Sequence, residues 1–423
     1  MLDKGRMARI LLVATVFMVA SAPAAQDCSR QQLLQQGWLP KAPPLPAPSG
    51  TVVRTANPQQ LIEALDDVKA GTTILLEDGH YKMPHYVAIT ADDVALRSAS
   101  GNREAVVIDG IESRDGELVG ITACSGVTIA DLTIQNIKWN GFKINSETGV
   151  HDLTIYNCVI HNIWQRGVKG VKVPLQDRDT IRPKNCRVSY CLFYNDRPKR
   201  FSDDPADTSD NFNGDYIGGL DVMYAQRWTI SDNVFVGIQG RTRQGRGAVF
   251  LWHDSRDCIV ERNIIIDCDA GVCLGNPHRP RDITDHCTNC TVRNNFITRA
   301  PEAGIVTVYT SNCRLLHNTI YDPDSRLGRL IRVVFDNDGL TIANNLLCGP
   351  DIRIESDSRL NLLGNAVGSF GPRLTNPRCG NLHLTGPVEA VVDRAAPMPD
   401  VRTDIDGYNR TGAPDVGADE LQQ

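Results

Sequence analysis

The sequence predicts an all-β solenoid, a single elongated stack of strand-and-turn coils with one helix at its start. Two patterns carry this: apolar residues recur at the first, third and eighth positions of a ten-residue unit, and short β-branched runs alternate with Asn, Asp and Gly from Thr72 onward. Length agrees, because 423 residues exceed what one compact core usually organises, and a repeat accounts for them without a second domain. With 41% hydrophobic and 22% charged residues, the composition excludes a disordered chain and a polytopic membrane protein.

The elements follow in order. Residues 1–24 read as a signal peptide: Lys4, Arg6 and Arg9 are basic, Ile10 to Ala20 are apolar, and Ala22 and Ala24 are the small residues of a cleavage site. A secreted or periplasmic location is expected, where disulfides persist. No later stretch is apolar enough to span a bilayer, so no membrane insertion is expected. Residues 25–50 are a Pro-rich linker. Asn57 caps a helix that opens on Pro58 and ends by Gly71, with Gln60 completing a capping-box-like pattern and Leu61, Ile62, Leu65 and Val68 on one face. Residues 51–372 form the solenoid and 373–423 a capping tail.

Repeat units start at Val127, Leu153, Cys186, Trp228, Cys258, Cys290, Cys313, Leu340 and Leu360, at spacings of 20 to 42 residues. From Trp228 on, an Asn marks the turn of each unit: Asn233, Asn263, Asn294, Asn318, Asn345 and Asn365. A second strand follows, often led by Gly, as at Gly141, Gly167, Gly219, Gly247, Gly271 and Gly304. One coil cannot bury its own apolar face, but coils stacked about 4.8 Å apart in parallel ladders can. Stacked Asn amides can bond their copies above and below. On these features residues 51–370 resemble the right-handed parallel β-helix (pectate-lyase-like) superfamily, and the ending from Asp404 to Ala418 looks like that of exported members. The resemblance implies a groove along one parallel sheet, lined by outward side chains of consecutive coils and walled by insertions. It leaves the activity open, since the fold hosts lyases, glycosidases, esterases, epimerases and adhesins.

Thirteen cysteines are many for one chain. Cys186, Cys258, Cys290 and Cys313 share the first unit position, and Cys158 and Cys191 the sixth, so these six read first as packed small apolar residues; neighbouring-coil pairs such as Cys258 and Cys290 are close enough in backbone spacing to bridge but poorly oriented for it, and a mainly packed stack with a few bridges is expected.

The longest spacing, from Cys186 to Trp228, locates the irregular corner that can wall a groove. Lys138 to Arg200 holds 12 Lys or Arg against 5 Asp or Glu, whereas Phe201 to Asp221 has six Asp and no basic residue. A basic groove concentrates an anionic polymer. An Asp cluster beside it suits a hard cation such as Ca2+, with Asp215 and Asp221 as candidate ligands, although no EF-hand spacing is present. Strand alternation turns Phe142 and Ile144 inward, and hence Lys143, Lys169 and Asp221 outward in one column; a one-residue insertion would exchange Lys169 for Lys172. The same rule turns Ala248, Phe250 and Trp252 inward and His253 outward.

Uronate β-elimination requires a neutralised carboxylate, a base for the C5 proton and a donor to the leaving oxygen. Lys169 and His253 are the candidate bases, Tyr216 or Tyr224 the donor, and Arg246, Arg241 and Arg243 the carboxylate clamp. Trp228 and Trp252 fall at inward positions, leaving Trp139 and Trp164 as sugar platforms. Structural roles compete: exposed lysines on a sheet aid solubility, and a His-Asp at a strand end is commonly a turn.

In helix cap and coil layout the chain is similar to the alginate and chondroitin lyase group. Its strands Gly247 to His253 and Gly271 to Asn276, however, lack that group's metal-binding Glu and its Lys and Arg pair. The expected activity is therefore a lyase on acidic polysaccharide with a different constellation. The alternatives are a glycoside hydrolase or epimerase, with Asp215, Asp221, Asp267 and Asp269 as carboxylates, or a non-catalytic binding or surface protein. No phosphate loop or dinucleotide fingerprint is present, and a net charge of −6 argues against nucleic acid.

Overall fold

The computed structural model describes residues 28–48 and 50–422, so the segment read as a signal peptide lies outside the described residues. The solenoid is the expected all-β right-handed parallel β-helix, in which each full coil gives one strand to each of three parallel sheets. In one coil Thr128–Ala130 lies in the first sheet, Thr133–Ile137 in the second and Asn140–Asn145 in the third.

From Thr128–Ala130 to Thr341–Ala343 each first-sheet strand is held between two left-handed residues five positions apart, such as Asp152 and Asn157, Asn185 and Tyr190, Asp257 and Arg262, or Asn312 and His317. Asn, Asp and Gly tolerate that conformation best, which explains the punctuation seen in the sequence. Tyr190, Arg262 and His317 adopt it because the coils on either side fix the corner.

The residue after the second left-handed position points into the core. Asn233 Nδ2 donates to Val188 O at 2.9 Å and to Asn263 Oδ1 at 3.0 Å. The amide chain continues through Asn295, Asn318, Asn345 and Asn365. Within the Asn294–Asn295 pair the ladder residue is therefore Asn295, not Asn294, which takes the left-handed turn and bonds Thr403 O. Upstream the same position is cysteine: Cys191 N donates to Asn233 Oδ1, and Cys158 N to Cys191 Sγ.

Third and eighth unit positions stack coil upon coil, as in the Phe193–Phe235 ring pair at 4.5 Å. In the third sheet Gly167 and Gly271 meet the neighbouring coil so closely that a Cβ would stand 2.6 Å from Gly219 O and 2.3 Å from Gly304 O. The helix Pro58–Asp66 closes the N-terminal end with Leu61 and Leu65 buried, capped by Asn57, whose side chain accepts Gln60 N at 3.0 Å.

Two boundary expectations change. Residues 25–50 are more than a linker: Arg30–Leu34 is helical, Leu33 is buried beside Val234 and Ile264, and the Pro-rich run lies along the coils, with Pro43 O accepting Tyr156 OH and Pro46 O accepting Arg97. The tail packs a hairpin, Leu374–Asn376 with Asn381–Leu384, and Val391, Ile405 and Val416 onto the outer face of the second sheet. It does not cross the C-terminal end, where Leu362 and Val367 stay exposed. Cys28–Cys379 is the disulfide, tying the N-terminal segment to the tail hairpin. The other eleven cysteines are free and buried, so Cys258 and Cys290 pack without bridging; burial pushes the Cys186 and Cys268 thiols up to about 12.

Asn318→Ala should cost about 2–4 kcal/mol, because Val292 O and the flanking amides lose their partner in a dry interior. Asn365→Ala, at the exposed end of the ladder, should cost about 1 kcal/mol. Urea denaturation of both variants checks the contrast.

Candidate functional site

A cleft of about 660 Å3 lies over the outward face of the third sheet. Its floor comes from the strands Gly218–Met223 and Val249–Trp252, through Asp221, Phe250 and Trp252. Insertions wall it: residues 195–217 bring Phe212 and Tyr216, residues 237–248 bring Gln244 and Arg246, and residues 275–286 bring Asn276 and His278. The first of these is the long spacing singled out in the sequence.

Register places Lys143, Lys169 and Asp221 in one outward column, as alternation predicts. The next member is Phe250, not an inward residue, because Asp221 pairs with Phe250 and Met223 with Trp252. Val249 and Leu251 enter the main core instead, and Trp252 becomes part of the cleft floor. His253 is also reassigned. It and Asp254 are both left-handed and turn the chain to the next coil, burying the imidazole against Trp252, 3.8 Å between ring centroids, and His286, 5.4 Å. Burial, together with His286 and Lys172, depresses its pKa to about 3, which removes it as a solvent-side base.

Asp221 is the hub of the floor. Its Oδ2 accepts Arg166 Nε at 2.6 Å, and its Oδ1 accepts Trp252 Nε1 at 3.0 Å and meets Lys169 Nζ at 3.0 Å. Burial alone would raise this carboxyl, but Lys169 and Arg166 hold it below its ordinary range. Lys169 is thus a buried ion-pair partner and not an open base. The Arg166 guanidinium lies 4.0 Å over the Tyr216 ring, and Phe212 packs 4.6 Å from that ring, fixing Tyr216 in the wall.

Of the remaining candidates, Arg246 lines the cleft and makes no ion pair with a described residue. Lys172 is exposed in the loop beyond the strand Arg166–Gly170. Lys143 pairs with Glu117 at 2.9 Å. Arg241 bonds Asn213 and covers Phe201, while Arg243 pairs with Asp267 and Asp269. Trp139 donates to Asp204 at 3.1 Å, and Trp164 lies under Arg197 beside a separate cleft of about 360 Å3, so neither lines this one. Sequence reasoning missed Arg166, Phe212, Phe250, Trp252 and His278 as lining groups.

The acidic insertion is neutralised from within. Lys199 is buried between Asp204 and Asp207, and Asp215 accepts both Thr242 N and Thr242 Oγ1. Asp269, raised to about 6 by burial, accepts Gly240 N and Gly245 N and holds the same loop. With Asp215 spent on Thr242 and Asp221 on two cations, these two carboxylates do not fit a Ca2+ site. A larger cleft of about 1080 Å3 opens between the second and third sheets; there Arg329 pairs with Glu302 and Arg378 with Asp324, Arg326 makes no ion pair with a described residue, and the lining has one aromatic ring, Tyr321.

The family described as right-handed β-helix region matches residues 117–347. Among solved structures, the pectate lyase Pel9A is 13% identical, with 88% of this chain and 97% of that chain covered and a TM-score of 0.51. PfbA, a surface adhesin of Streptococcus pneumoniae, is 12% identical over 74% of this chain and 87% of its own, with a TM-score of 0.50. At these identities the likeness speaks for the fold alone. No curated protein matches the chain.

Asp221→Ala should destabilise by about 3–5 kcal/mol, since it strands Arg166 and Lys169 as unpaired buried cations; chemical denaturation reads this directly. His253 should leave a pH signature. Its folded pKa is depressed, so the unfolded chain takes up a proton that the fold refuses, and stability falls as pH drops from 6.5 toward about 3. The advantage of the wild type over His253→Asn should therefore shrink through that window when both are unfolded in urea at stepped pH.

Proposed function

The chain belongs to the right-handed β-helix family, and from that premise we propose that it is an exported polysaccharide-active protein, a lyase cleaving a uronate-containing acidic polymer by β-elimination. The observation that carries this reading is one cleft that joins the aromatic groups Phe212, Tyr216, Phe250 and Trp252 to the unpaired guanidinium of Arg246. Aromatic faces stack on sugar rings. A guanidinium binds a carboxylate through two parallel hydrogen bonds and stabilises the charge that grows on it as the C5 proton leaves.

Proton transfer falls to Tyr216 and His278, titratable lining groups that make no ion pair with a described residue. One removes the C5 proton; the C4–O bond breaks, leaving an unsaturated uronate end, and the departing oxygen takes a proton to become a hydroxyl. Lys169 and His253 keep structural roles in this scheme. Export is supported by the basic, apolar and small-residue order of residues 1–24 and by the Cys28–Cys379 bond. The scaffold shared with Pel9A, a pectate lyase, and PfbA, an adhesin, is compatible with this reading and with a second one in which the cleft binds without cleaving.

Incubation with alginate, pectate, chondroitin and hyaluronan, with and without chelator, separates the readings. Ultraviolet absorbance of an unsaturated product is expected with at least one polymer. Arg246→Ala and Tyr216→Phe should each lower kcat/KM by about 100-fold with the fold intact by circular dichroism. Reducing ends without absorbance would mean a hydrolase, and retained binding with neither signal would favour the adhesin-like reading.

A further inference from the structure

The tail holds a cluster of side chains that the cleft does not use. His383, on the strand Asn381–Leu384, meets Asp406 and Asp419, with one ligand-type atom of each lying within 4.8 Å of the others. His383 Nε2 stands 3.0 Å from Asp406 Oδ2. Asp419 is only 7% exposed; its Oδ2 accepts Leu384 N at 2.7 Å, and no described residue bonds its other oxygen.

The protonation pattern of His383 is fixed from outside the cluster. Its backbone N–H donates to Asn381 Oδ1 at 3.3 Å, which identifies that atom as the amide oxygen, and Nδ1 lies 2.6 Å from the same atom. An amide oxygen only accepts, so Nδ1 carries the hydrogen. Nε2 then faces a carboxylate oxygen, and that edge takes a cation: its own proton, which makes an imidazolium paired with Asp406, or a metal ion that displaces the proton. Among the described residues no Lys or Arg fills that place: the neighbouring guanidinium, Arg410, pairs with Glu420 at 2.9 Å, and the remaining nearby charges, Asp404 and Asp415, are acidic.

We propose that His383, Asp406 and Asp419 form a binding site for a divalent transition metal of the Zn2+ class, which clamps the tail to its hairpin. Imidazole selects such a metal over Ca2+ or Mg2+, and two carboxylates neutralise its charge. The 3.0 Å separation of His383 and Asp406 suits two ligands at about 2.0–2.2 Å from a shared ion. Asn381 is the outer partner that orients a ligating histidine. Asp406 is exposed, so water reaches the open coordination positions. The clamp would also brace the N-terminal segment, because Trp38 packs edge-on against the His383 ring at 5.5 Å beside the Cys28–Cys379 bond. It stands apart from whatever the cleft binds.

The test is calorimetric titration of the full chain, stripped of metal, with Zn2+, Mn2+ and Ca2+ in separate arms. One equivalent of Zn2+ should bind at least about tenfold more tightly than Ca2+ and raise Tm by about 2–5 °C. His383→Gln and Asp419→Asn should each weaken uptake by about 100-fold. Asp406→Asn, at an exposed position, serves as the variant whose fold is retained, checked by circular dichroism, and should do the same. No Zn2+ uptake by the wild type, a preference for Ca2+, or uptake unchanged in Asp406→Asn, as binding to cysteine thiols would give, overturns the assignment.

Discussion

The backbone of each coil finds its strand partners only in the coils above and below, so the molecule depends on every coil returning to one register. The corner between the first and second sheets enforces that return. Two left-handed residues five apart bracket the first-sheet strands from Thr128–Ala130 to Thr341–Ala343, and in the Asn-bearing coils the inward residue that follows reaches both ways along the axis. Asn263 donates to Ile230 O in the coil before and to Asn295 Oδ1 in the coil after, while its own oxygen accepts from Asn233. An amide alone in this apolar column would be costly; in a row each satisfies the next.

A fixed register at one corner frees the others. The short turn into the second sheet keeps its form from coil to coil, whereas the chain entering and leaving the third sheet carries the insertions 195–217, 237–248 and 275–286. The cleft is the product of that asymmetry: an aligned outward column, Lys143, Lys169, Asp221 and Phe250, roofed by loops the ladder does not constrain. Even these loops are pinned from below by carboxylates, Asp215 and Asp269 bonding the backbone of residues 240–245. Arg246 is thus presented from an anchored loop.

The repeat, the helix and the column as far as Asp221 were legible because apolar period and turn residues report on coils directly. The column was lost one coil later for a definable reason. Gly218 and Gly219 are adjacent glycines; aligning Gly247 with Gly219, the strand leader, shifts the strand by one residue, and a one-residue slip exchanges every face. In the structure Ala248 takes the leader's place, since Leu220 pairs with Val249, and Gly247 sits before it with φ +75°. Phe250, Trp252 and His253 were misassigned together by that single slip. Arg166 was hidden differently: its value lies in Asp221, 55 positions away along the chain.

The basic run from Lys138 to Arg200 shows why charge counted along a solenoid misleads. Spatial neighbours on adjacent coils are separated by a whole coil of sequence, so much of a basic run is neutralised by acidic residues from elsewhere: Lys143 by Glu117, Lys169 and Arg166 by Asp221, Arg178 by Asp282, Arg182 by Asp254. The local excess is therefore no diffuse positive field over the groove. What faces an anionic ligand in the cleft is Arg246 among aromatic rings, with exposed Lys172 on a neighbouring loop. Recognition there has to come from geometry, a ring stacked and one carboxylate held, and not from accumulated charge. The same coil-to-coil pairing that stabilises the scaffold is what takes up the Arg166 and Lys169 charges on the cleft floor.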